Sequence, residues 1–156
     1  MTNQGVVDAL NDLEIDFHRT QVGDKFVSRE LVDKKLNLGG ETSGHIIQRE
    51  FSESGDANIA LIQTLAALEE LNLSLADIKA KITYKPQTLE SFDIKDMQVI
   101  ETKGFSEQIK SLEKDYSNAR ISVRKSGTES KIRVMVESDT ENDITSVMNS
   151  VKSLII

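Results

Sequence analysis

Arg124-Lys125-Ser126-Gly127-Thr128-Glu129-Ser130 is the stretch whose reading decides the fold of this 156-residue chain. Just before it Ile121 and Val123 alternate with polar residues, and just after it Ile132, Val134 and Val136 do the same. Period-two alternation on both sides of a polar, glycine-containing segment predicts two strands joined by a loop. The loop's chemistry suits an anion. Arg124 brings a forked, permanently charged donor set, Ser126 and Thr128 bring hydroxyls, and Gly127 admits close approach of the backbone with its N–H groups. Charge-assisted hydrogen bonds contribute roughly 1.5 to 3 kcal/mol each, so three or four hold a small phosphoester with little apolar burial. Ser, Gly and Thr between strands also make ordinary turns, and composition alone leaves both readings open.

Outward from the loop, Thr140-Glu141-Asn142-Asp143 is a helix start, and Ile144, Val147, Met148, Val151, Leu154 and Ile155 give an apolar stripe for a final helix. Upstream, Phe105, Ile109, Leu112 and Tyr116 predict a helix over 105–116, and 88–95 reads as a strand. Strand, helix, strand, strand, helix makes a small α+β domain with a mostly antiparallel sheet packed by two helices. The only proline, Pro86, marks the boundary, dividing the chain into 1–85 and 86–156. In the first part, 4–13 reads as a helix, 15–22 as a strand, and 24–36 as a helix with Asp24 as its cap. A short strand over 46–51 follows. A helix from Asp56 to Leu71 is expected to bury Ile59, Ile62, Leu65, Ala66 and Leu68, and Ser74 opens a second with a capping-box pattern. That order predicts a truncated α/β layer with parallel strands, whose ligand loops gather at strand ends.

Composition bounds the function. Hydrophobic content of 38% with 29% charged residues fits a globular chain rather than a disordered one. A net charge of −7 argues against broad nucleic-acid binding, and the absence of Trp removes one base-stacking platform. No apolar run approaches a membrane span, and no basic-then-apolar leader stands at the start, so a cytoplasmic setting with no membrane partner is expected. With no Cys, disulfides, thiolate catalysis and Cys-ligated zinc are excluded within the chain. A local basic cluster can still serve an anion, and Lys25, Arg124, Lys125, Lys131 and Arg133 are its candidates. Nucleotide-binding glycine loops and the His-Glu-x-x-His zinc motif are absent from the sequence.

Arg124-x-Ser126-Gly127-Thr128-Glu129, followed by Ile132-Arg133-Val134-Met135-Val136-Glu137, resembles the phosphate-binding loop in the last domain of the α-D-phosphohexomutases. Gly39-Gly40-Glu41-Thr42-Ser43-Gly44-His45 is similar to the sugar-binding loop of that family's preceding domain, and Val22-Gly23-Asp24-Lys25 resembles another of its active-site loops. Three motifs in the family's order, over nearly the whole chain, are far more specific than any one alone. The double glycine before Glu41 and the Ser-Gly-Thr form of the last loop look most like the members acting on glucosamine phosphate. The members acting on mannose or glucose phosphates are the close alternative, and a non-catalytic phosphosugar-binding or interaction module is a third.

The resemblance implies roles. Arg124, Ser126, Gly127, Thr128 and Arg133 would bind phosphate, while Glu41, Ser43, Gly40 and Asp24 would hold the sugar. Lys25 and His45 would line the reaction end, with His45 open to acid–base chemistry, phosphate contact or a structural hydrogen bond. His18, outside these motifs, reads as structural. The family's phosphoserine loop and its aspartate-rich Mg²⁺ loop belong to earlier domains, and neither motif occurs here. The chain therefore reads as the C-terminal part of a phosphohexomutase, the end of the third domain plus the fourth. It would bind no cofactor itself, take a hexose phosphate as ligand, and depend on N-terminal domains in cis or in trans for turnover. Two departures stand out: Lys125 and Ser130 occupy positions where the family usually has Pro, which leaves the loop less pre-organised. Lys125 reads as a solvated side chain or an added charge at the site.

Overall fold

The computed structural model describes residues 1–94, 96–127 and 129–156, and the chain divides into two compact units, Met1–Thr83 and Tyr84–Ile156. The fold is α/β followed by α+β, with two small antiparallel sheets.

In the second unit, strand β3 (Gln87–Asp93) lies beside β5 (Lys131–Glu137), which lies beside β4 (Arg120–Lys125), all antiparallel. Lys95, the last residue of the strand predicted over 88–95, lies outside the described residues. Alternation sets the faces. Ile121 and Val123 of β4, with Ile132, Val134 and Val136 of β5, join Phe92 in one apolar cluster. Helices α5 (Lys103–Asp115) and α6 (Glu141–Ile155) close that cluster with Phe105, Ile109 and Leu112 from α5 and the predicted stripe from Ile144 to Ile155 from α6. Thr140 caps α6 by accepting from the Asp143 N–H at 3.1 Å, satisfying one of the amides that a helix start leaves free. Arg124, Arg133 and Met135 point to the opposite face because successive strand residues alternate sides.

The first unit contains α1 (Gln4–Asp12), α2 (Asp24–Asp33), β1 (Leu38–Gly40), β2 (Ile46–Gln48), α3 (Ala57–Leu71) and α4 (Leu75–Ala80). Strands β1 and β2 form an antiparallel hairpin, with Gly39 opposite Ile47. The predicted parallel strand over 15–22 does not form: the segment is irregular, and among the described residues no strand pairs with it. A strand exists through its ladder, and alternation without a neighbour to bond is not enough. Residues 38–40, by contrast, carry no strand signal and become one by pairing with Ile46–Gln48.

Helix α3 corrects a second expectation. Its cap is as predicted, with Asp56 accepting from the Asn58 and Ile59 N–H groups at 2.8 and 3.0 Å. The expected buried face is not buried: Ile62 is 63% exposed and Leu65 is 56%, Ala66 is also exposed, and Ala60 is the helix's one buried residue. Periodicity identifies an apolar surface without supplying anything to cover it. The apolar core found in this unit is small, built by Val27 and Leu31 of α2 against Ile47 of β2.

Candidate functional site

Two of the loops singled out in the sequence meet in the first unit. Gly23, at φ 129°, stands at the N-terminus of α2, and its N–H donates to Glu41 Oε1 at 2.9 Å. Gly23 is the cap residue. Asp24, predicted as the cap, is the first residue inside the helix, and its Oδ1 accepts from the Lys25 N–H at 2.8 Å. A carboxylate in the first turn is favourable against the helix dipole, so Asp24 contributes there without capping.

Glu41 to His45 forms the tip of the β1–β2 hairpin. The Glu41 N–H donates to the His45 carbonyl at 2.9 Å, and the Gly44 N–H returns to the Glu41 carbonyl at 3.0 Å. Ser43 Oγ lies 3.1 Å from His45 Nδ1, so these two side chains act as one polar unit at an exposed loop tip. The double glycine has a packing reason. A Cβ on Gly39 would stand 2.6 Å from Val27 Cγ1, and one on Gly40 would stand 2.9 Å from the His45 carbonyl oxygen. Side chains there would push the hairpin off α2 or open its tip. Lys25 is exposed, with its ammonium 4.9 Å from the Phe26 ring centre. Among the described residues no hydrogen bond or ion pair joins Lys25 to Glu41, Ser43 or His45. His18 Nδ1 sits 3.7 Å from Glu30 Oε1 of α2.

In the second unit, Arg124 lies directly across the ladder from Arg133. Directly opposed residues have Cβ atoms about 4.5 to 5.5 Å apart, and like charges there repel. Ser126 continues the ladder, its N–H donating to the Lys131 carbonyl at 2.8 Å, so Arg124 and Ser126 share a face by the two-residue period. Arg124 Nε and Ser126 Oγ are both buried without a hydrogen-bond partner. Buried polar atoms are nearly always paired, and each exception calls for an explanation. Gly127 is exposed, and a Cβ added to it would meet nothing within 4 Å, so the protein's own packing does not demand glycine. Thr128, the remaining predicted phosphate ligand, lies outside the described residues.

Two charges behave differently from the sequence reading. Lys125 falls on the same face as Ile121 and Val123 and pairs with Glu101 at 2.7 Å, so it is neither free in solvent nor on the Arg124 face. Glu129, which the sequence reading gave no role, stands 3.6 Å from Arg133 Nη2 and 3.7 Å from Lys131 Nζ. Its position four residues before Arg133 and two before Lys131 was the available signal. Among the described residues no three His, Asp or Glu side chains are gathered to hold one ion. A magnesium site needs several oxygen donors around one point, and the described residues of this chain do not fit one. Among the described residues no helix is long and apolar enough to cross a membrane.

The first unit thus carries a glycine-supported carboxylate loop and the second a basic hairpin loop. The chain belongs to the phosphoglucomutase/phosphomannomutase family: its alpha/beta/alpha domain III matches residues 1–85 and its C-terminal domain matches residues 66–153. Among individual relatives, the phosphoglucosamine mutase of Thermosipho africanus (strain TCF52B) is 38% identical over 155 residues, covering 99% of this chain and 35% of the relative. The phosphoglucosamine mutase of Dictyoglomus thermophilum is 38% identical over 162 residues, covering 100% of this chain and 34% of the relative. The chain thus spans about a third of the length of the curated relatives it matches. An N-acetylglucosamine-phosphate mutase of the alpha-D-phosphohexomutase superfamily, solved in its substrate complex, shares the fold at a TM-score of 0.81 and 24% identity, over 99% of this chain and 37% of that one.

Proposed function

We propose that this chain is the substrate-recognition half of a phosphoglucosamine mutase, the isomerase that interconverts glucosamine 6-phosphate and glucosamine 1-phosphate by phosphoryl transfer. One observation carries the reading: Arg124 Nε and Ser126 Oγ are buried and unpartnered beside a second arginine, Arg133. An ester phosphate supplies acceptor oxygens for the Arg124 guanidinium and the Ser126 hydroxyl, and negative charge between the two arginines. Open space at Gly127, where an added Cβ would meet nothing within 4 Å, leaves room for the ligand, and Thr128 is assigned to phosphate from its place in the sequence motif alone.

The first unit takes the sugar. Glu41 Oε1 is engaged by the Gly23 N–H, which orients the carboxylate and leaves Oε2 to accept from ring hydroxyls. Ser43 and His45, bonded to each other, meet the hexose at the loop tip with Gly40 nearby in sequence and Asp24 next to the Gly23 that holds Glu41, and Lys25 lines the reaction end. The domains so assigned are 1–85 for the sugar and 86–156 for the phosphate. Amino-sugar specificity is favoured over mannose or glucose by the phosphoglucosamine mutases among the relatives.

Phosphoryl transfer needs a donor and cations on the equatorial oxygens. This chain carries no Asp-x-Asp-x-Asp metal loop, so residues 1–156 alone bind substrate without turning it over. A phosphoserine loop and a Mg²⁺ loop come from N-terminal phosphohexomutase domains, in cis or in trans, in the cytoplasm. The test is calorimetric titration with glucosamine 6-phosphate, repeated with Arg124→Met, followed by mutase assays with and without separately supplied N-terminal domains. Binding lost in the variant and activity only on mixing are the expected results. Absence of Arg124-dependent binding would sink the assignment, while binding with no activity on mixing would reduce the chain to a phosphosugar-binding module.

A further inference from the structure

We infer that Glu129 is an internal counter-anion of the phosphate loop, seated against Arg133 and Lys131 when the site is empty and displaced from them by the incoming phosphate. The inference rests on the phosphate-binding reading of this loop. The Lys131 N–H donates to the Glu129 carbonyl at 2.8 Å, which fixes the Glu129 backbone at the mouth of the hairpin. Its carboxylate then reaches both cations at once, Oε1 to Lys131 Nζ at 3.7 Å and Oε2 to Arg133 Nη2 at 3.6 Å. Neither distance is a hydrogen bond. The carboxylate is half exposed, and each cation is about one-third exposed. A carboxylate held by charge alone in a wet setting is a weak occupant, easily exchanged for a better one.

What it leaves undone is as informative. Glu129 does not reach Arg124, whose Nε stays buried without a partner, nor Ser126 Oγ. A phosphate on Arg124 and Ser126 would therefore compete with Glu129 for Arg133 while gaining bonds that Glu129 cannot make. Glu129 also sets the charge of the site. Arg124, Lys131 and Arg133 bring three positive charges to this face, and Glu129 offsets part of them beside Asp93, which lies directly across the ladder from Lys131. The site consequently holds its ligand less tightly than three bare cations would, and a site that must release product gains by that.

The experiment titrates the 156-residue chain with inorganic phosphate, and separately with nitrate at the same pH, for the unsubstituted protein, Glu129→Gln, Arg133→Met and the double variant. Removing the carboxylate's charge is expected to tighten phosphate binding about three- to tenfold, as expected for loss of one exposed like-charge neighbour. The gain should be smaller for nitrate, because a Coulombic effect scales with ligand charge, and it should shrink in the Arg133→Met background. A purely structural role for Glu129 would change neither in that pattern. Phosphate binding by the unsubstituted chain that Glu129→Gln leaves unchanged or weakens overturns this inference alone. Failure of the unsubstituted chain to bind phosphate overturns the functional reading, and this inference with it.

Discussion

Replacing Arg124 with Met should make the second unit more stable in phosphate-free buffer and blind to phosphate. Met keeps an unbranched, flexible stem and removes the guanidinium. Two costs of the empty site go with it: a buried Nε without a partner, worth about 1 to 3 kcal/mol, and repulsion from Arg133 directly across the ladder, worth about 0.2 to 1 kcal/mol. A gain of even about 1 kcal/mol raises the melting temperature of a unit of this size by about 4 to 8 °C. Saturating phosphate reverses the order. At a hundred times its dissociation constant the ligand stabilises the unsubstituted unit by about 2.7 kcal/mol, and the variant gains little. Amide exchange read on peptides spanning β4 and β5, with and without inorganic phosphate, follows both effects without requiring the two units to unfold together. A variant that is less stable than the parent without phosphate, or that keeps the parent's full phosphate shift, refutes the idea that Arg124 is held in wait for an anion.

The two units should also differ in intrinsic stability: of the buried apolar residues described, Val7, Val27, Leu31, Ile47 and Ala60 belong to the first and the other twelve to the second. Exchange protection should therefore be lower throughout 1–83 than in 84–156, and equal protection would contradict it. Gly39→Ala places a methyl against Val27 Cγ1 and should destabilise the first unit by about 1 to 3 kcal/mol, read as a lower urea midpoint for the α2–β1 region. The Ser74 hydroxyl, and then its amide, hold the Asp77 carboxyl below the usual carboxylate range. Because that folded-state value is depressed, the stabilisation of the α4 start is complete above the unfolded value near pH ~4 and disappears as pH falls through the lower folded one. Asp77→Asn should remove this acid-side loss, measured by NMR on the Ser74 amide, and an unchanged profile would count against the capping box as its source.

Local chemistry was legible in the sequence and long-range coverage was not. The caps at Asp56, Ser74 and Thr140 needed only the few residues after them, and each forms as read. The α6 stripe and the β4 and β5 alternation also formed, because every partner they require lies within the same unit. Residues 15–22 and α3 failed for one shared reason. Each advertises a surface, a strand edge or an apolar face, and neither pattern says whether a neighbour stands against it.

The candidate site divides along the same line. That Arg124 and Ser126 point the same way follows from their spacing, and the same rule, applied to Ile121, Val123 and Lys125, would have sent Lys125 to the helix side where Glu101 holds it. The opposition of Arg124 and Arg133 is different in kind, since it depends on ladder register, which the loop's length and conformation select. Register also decides the energetics. Shifted by one residue, Arg124 would face an apolar neighbour, Ile132 or Val134, and the arginine pair, the Glu129 counter-charge and the demand for an anion between them would all vanish. The proposed anion site is thus a property of the pairing between β4 and β5, suggested in the sequence by its residue types and fixed only when the two strands meet.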